Sequence, residues 1–151
     1  MASVKQLQLV LGIEKDKEDK LQSDFQAAKQ HLFEHQQKLT ALEQYRLDYL
    51  NVIKQKASEG LGATALIQHQ SFVGKLDKAC EQQVNMINQA TLVVDQRKRL
   101  YFEQQAKSQA ISKLIDKRSQ QQSIIEAKQE QKLFDELSGL AHLKQSLSKL
   151  T

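Results

Sequence analysis

The chain reads as an all-α protein, a long antiparallel two-helix coiled coil, and three observations lead there. The 151 residues contain no proline. Apolar residues recur at alternating steps of three and four on both sides of the centre. Two of only five glycines, Gly60 and Gly62, stand two residues apart between those stretches. Hydrophobic residues make up 40% of the chain and aromatics 5%, too thin a supply for a compact core but sufficient for a narrow seam. The abundant Gln, Lys, Glu, Ala and Leu all extend helices at small entropic cost.

The first predicted helix covers about residues 4–57. It opens on Ser3-Val4-Lys5-Gln6, the Ser-x-x-Gln spacing of a capping box. Stepping from Val4 by three and four to Ile53 gives fifteen positions, of which eleven are apolar or aromatic. This is a heptad seam. Glu14, Glu18, His35 and Arg46 interrupt it and make it soft. The turn is predicted over about 58–63, where the glycines supply backbone freedom and Thr64 is a plausible cap for the next helix. The second helix is predicted over about 64–136, with a weaker seam phased from Phe72 through Leu76, Ala79, Met86, Ala90, Val93, Leu100, Ile111, Leu114 and Ile125. Ser138-Gly139 then breaks the pattern, leaving a short amphipathic tail over 140–150. At 1.5 Å per residue these helices would be ~80 and ~110 Å long, and a short link makes antiparallel return the least costly way to bury both stripes.

A reversal at the glycine pair sets a register in which residue numbers summing to 121 lie at one height. Tyr49 then sits beside Phe72, Tyr45 beside Leu76, Leu42 beside Ala79, and Lys38 beside Gln83. The densest aromatic cluster falls at one level near the turn. Tyrosines there can serve either hairpin packing or the docking of another protein.

Other signals point away from catalysis. No glycine-rich phosphate loop, nucleophile elbow or pair of carboxylates in apolar surroundings is present, so no enzyme activity, cofactor or small-molecule substrate is expected. His31 and His35 share a helix face, but no third ligand follows at a metal-binding spacing, so no metal site is expected. Cys80 is the only cysteine and suits a reducing compartment, with the cytoplasm as default. The apolar run Leu7 to Ile13 is followed at once by EKDKEDK with no small-residue cleavage site, so a secretory signal is not expected. The net charge is +4, and residues 95–118 carry that excess through Arg97, Lys98, Arg99, Lys107, Lys113, Lys117 and Arg118 against three acids. Such a face is usually solvated, though it can engage an acidic partner. It matches no nucleic-acid-binding module, and no nucleic-acid partner is expected.

Taken in order, the N-terminal LQLVLGIEKDKEDKL, the LTALEQYRLDYL block, the central glycine turn, the QSFVGKLDKAC block and the basic second helix resemble the bacterial flagellar type III export protein family FliJ. The resemblance implies a cytoplasmic coiled coil, similar to the stalk of rotary ATPases and peripherally associated with the inner-membrane export apparatus. Implied partners are the hexameric export ATPase, the membrane export gate protein and flagellar export chaperones. It implies a gate-docking surface at Leu42, Tyr45, Tyr49, Phe72, Leu76 and Ala79. The basic residues Arg97, Lys98, Arg99, Lys117 and Arg118 form a second candidate surface. By analogy with rotary stalks, Val4 to Leu21 and roughly Leu100 to Ile125 would enter the ATPase ring. The stalk of a virulence-type secretion system and a generic coiled-coil scaffold are the alternative readings.

Overall fold

The computed structural model describes residues 2–150 and contains two helices, α1 (Val4–Glu59) and α2 (Ala63–Leu150). The two pack against each other as a helical hairpin, as the sequence predicts, and 97% of the described residues are helical. The capping box forms as read. The Gln6 amide donates to Ser3 Oγ at 3.1 Å, and the Ser3 amide donates to Gln6 Oε1 at 2.9 Å, so two backbone donors at the start of α1 are satisfied.

The turn is tighter than expected. α1 runs to Glu59, and Gly60 takes φ = 99°, the left-handed conformation that ends a helix with its amide turned back onto the Ala57 carbonyl. Leu66 N donates to the Gly62 carbonyl at 3.1 Å, so the cap position of α2 is Gly62. Thr64 lies inside the first turn and is not the cap. A further difference concerns Ser138-Gly139, which does not interrupt α2. The helix continues to Leu150 rather than ending near residue 136. One glycine costs about 1 kcal/mol in a helix interior, too little to break a run with good helix formers on both sides.

The contacts group into two units rather than a single body. One is Lys17–Gln104, and the other joins the stretch up to Asp16 with the stretch from Gln105 onward. In the Lys17–Gln104 unit the helices descend antiparallel from the turn, pairing Tyr49 with Phe72, Arg46 with Asp77, His35 with Gln83 and Phe25 with Tyr101. The last pair is staggered beyond the expected register. Side chains on an α-helix lean toward its own N-terminus, so long rings in an antiparallel couple meet between offset backbone positions. In the other unit Leu7 and Ile115 are buried, and Arg118 donates to the Ala2 carbonyl.

Every position of the α1 seam from Val4 to Ile53 is buried or half-buried, including the polar Glu14, Glu18, His35 and Arg46. The α2 seam is phased differently from the expectation. Leu76, Gln83, Ala90, Arg97, Gln104, Ile111 and Arg118 face inward as expected, but the second buried line is Val73, Cys80, Ile87, Val94, Tyr101, Ser108 and Ile115. Met86, Val93, Leu114 and Ile125, placed in the seam from sequence, are exposed. Both candidate lines repeat every seven residues and flank the same inward row. The expected line is half-buried at Phe72, Ala79 and Leu100 but exposed at Met86, Val93, Lys107 and Leu114, whereas the other is buried or half-buried throughout, and apolar content alone does not choose between them.

Candidate docking site

Leu42, Tyr45 and Tyr49 come from α1, and Phe72, Leu76 and Ala79 from α2, all within the Lys17–Gln104 unit. The one-turn spacing on each helix puts each trio near one face, and the antiparallel return brings the two trios to one level. Phe72 is the centre of the cluster. Its ring lies 4.7 Å from that of Tyr49 at 62° and 6.3 Å from that of Tyr45 at 81°, both edge-on arrangements favoured by aromatic quadrupoles.

The six residues divide by depth. Leu76 is 7% exposed and belongs to the seam, so it supports the surface from beneath. Leu42, Tyr49, Phe72 and Ala79 are half-buried, while Tyr45 is 52% exposed. Tyr49 is further held by a hydrogen bond between its hydroxyl and Nδ1 of His69, whose ring lies 5.6 Å from the tyrosine ring. Tyr45 has no such tether on its hydroxyl among the hydrogen bonds of the described residues. Its ring leans on Phe72 and leaves its outer edge in solvent.

Beside this cluster Lys38, Leu42, Ala79, Gln82, Gln83 and Met86 line a shallow open depression of about 210 Å³. Its floor is fixed by Gln83, which is 4% exposed and donates from Nε2 to His35 Nδ1 and to the His35 carbonyl, each at 2.9 Å. Gln83 is therefore a seam residue, and Lys38 supplies the free charge at the rim. Met86, 51% exposed, extends the apolar surface along the line Phe72, Ala79, Met86 and Val93. The periodicity of α2 puts Met86 and Val93 inside the seam and predicts no role for His69. The signal for His69 was available: His69 stands three residues before the register partner of Tyr49, as Gln83 stands three before that of His35.

The basic candidates divide between the two units. Arg97, Lys98 and Arg99 lie in the Lys17–Gln104 unit, where Arg97 is half-buried in the seam and Lys98 Nζ stands 5.8 Å from the Phe102 ring centre. Lys117 and Arg118 lie in the other unit, with Lys117 exposed and Arg118 engaged with Ala2. His31 and His35 approach with 3.0 Å between their Nε2 atoms. Among the described residues no group of three or more His, Cys, Asp or Glu could hold a metal ion. Cys80 is half-buried on the inner line of α2. Among the described residues no helix is long and apolar enough to cross a membrane.

A family model described as flagellar FliJ protein matches residues 3–147, nearly the whole length over which the hairpin and this site are built. The chain belongs to the FliJ family. FliJ-family membership makes it a component of the flagellar export apparatus, and the family is non-catalytic. No curated protein and no solved structure matches the chain.

Proposed function

We propose that this FliJ-family chain is a coupling hairpin of the flagellar export apparatus. It binds the hexameric export ATPase, docks on the membrane export gate and handles export chaperones from the cytoplasmic side of the inner membrane. The observation that supports the docking step best is Tyr45. An aromatic ring that is half exposed yet held edge-on by Phe72 is ordered before any partner arrives, so binding through it costs little conformational entropy. Leu42, Ala79 and Met86 provide an apolar floor next to it, and Lys38 a charge at the edge. The ATPase contact is assigned to the segments Val4–Asp16 and 105–125, whose exposed faces carry Leu9, Val10 and Ile13 together with Lys117.

No chemical step falls to this chain. Coupling requires only that it contact one conformation of a partner more favourably than another, since a ligand shifts an equilibrium by its differential affinity for the two states. The decisive experiment measures turnover and hexamer assembly of the purified export ATPase with and without the full chain. An increase in either supports the reading, and no change in both counts against it.

A further inference from the structure

Residues 119–150 of α2 are exposed at every position. Gln121, Gln122 and Ile125 line a depression together with Ala2 to Lys5 at the start of α1, and every described residue beyond them is open to solvent. That stretch is nevertheless amphipathic. Leu133, Leu137, Leu140, Leu143 and Leu147 follow one another at steps of three and four, and each is more than half exposed. Of the five only Leu143 continues an intramolecular line, that of Ile115 extended by sevens, and the other four lie off both inner lines. The inward row, extended by sevens from Arg118, would land on Ile125, Lys132, Gly139 and Ser146. The leucines form a stripe of their own, and a helix with such a stripe is stabilised chiefly by covering it.

Charge selects the occupant. Between Glu130 and Glu136 the stretch carries Glu130, Asp135 and Glu136 against Lys132, whereas beyond Glu136 it carries Lys144 and Lys149 and no acid. One half is acidic and the other basic, so the segment complements itself when reversed. We infer that residues 130–150 pair antiparallel with the same segment of a second copy of this chain. With the two-fold axis at Leu140, Leu140 meets its counterpart, Leu137 meets Leu143, Leu133 meets Leu147, and Glu136 lies beside Lys144 twice, as an isologous contact requires. A parallel pair would set Glu136 against Glu136 and Lys144 against Lys144. Gly139, with open space where a Cβ would stand, lets the two backbones approach beside the axis.

Sedimentation equilibrium of the full chain tests this, with a dissociation constant on the order of 10 μM expected for so small an interface. Glu136→Lys and Lys144→Glu each weaken self-association at least tenfold, and an equimolar mixture of the two variants restores it, because each supplies the charge the other lacks. In a Cys80→Ser background, Leu140→Cys forms an intermolecular disulfide under mild oxidation and Leu133→Cys does not. Circular dichroism of each variant confirms that the helices are retained. A chain that stays monomeric at several hundred micromolar would overturn the inference. So would single charge reversals without effect, or a Leu133→Cys variant that cross-links as readily as Leu140→Cys.

Discussion

Gln83 and His35 are joined twice: one amide nitrogen donates to both the ring Nδ1 and the main-chain carbonyl of the histidine. Acceptance at Nδ1 places the ring proton on Nε2, which points at His31 Nε2 3.0 Å away. Gln83 is nearly fully buried, so removing it strands part of a polar layer inside the seam. Gln83→Ala lowers stability by about 1–3 kcal/mol in urea unfolding. Combined with His35→Ala the losses are non-additive, with a coupling of at least ~0.5 kcal/mol. Strict additivity would mean that the two residues do not act together.

The phase of α2 is open to a comparison of neighbours. Ile87 is half-buried on the inner line and Met86 is 51% exposed on the outer one. Ile87→Ala costs about 2 kcal/mol, whereas Met86→Ala stays within ~0.5 kcal/mol. Ile115 and Leu114 repeat the contrast, the first buried and the second exposed. Equal losses within each couple, read from thermal unfolding, would contradict the inner line.

The two glycines of the turn have different burdens. Gly60 holds a positive φ that a Cβ opposes, and Gly62 does not. Gly60→Ala destabilises the hairpin by roughly 1–2 kcal/mol. Gly62→Ala has open space for its new Cβ and changes stability by no more than ~0.5 kcal/mol. Chemical denaturation of both variants decides the point, and a more sensitive Gly62 would move the strained position.

Tyr45 and Tyr49 separate docking from packing. Tyr49→Phe removes the hydroxyl bonded to His69 and costs about 1 kcal/mol of stability. Tyr45→Phe is neutral within ~0.5 kcal/mol, since that residue is half in solvent. Tyr45→Ala leaves helicity unchanged by circular dichroism but weakens binding to the export gate at least tenfold, about 1.4 kcal/mol. Undiminished binding, measured by calorimetry, would remove Tyr45 from the docking surface.

Much of this molecule is legible without coordinates. The capping box at Ser3 and Gln6, the seam of α1 with its four polar interruptions, and the meeting of Tyr49 with Phe72 all follow from spacing and one reversal. They are local or nearly so: a cap depends on residues three apart, and a register depends on where the chain turns. The depth of the residues on the proposed docking surface is legible only in part. Periodicity separates Leu76, a seam position, from Tyr45 on the seam's flank, as their exposures of 7% and 52% bear out, but it does not give the half-burial of Tyr49 and Phe72.

By itself the sequence determined two helices, their antiparallel return and the composition of each stripe, because helix propensity and periodicity act along the chain. Only the tertiary structure decided which of two equally spaced lines on α2 turns inward, leaving Met86 and Val93 outside beside Phe72 and Ala79. It also decided that the helix runs on past Gly139 with its leucines uncovered. Burial is a property of what faces a residue, and a periodic pattern states only that something must.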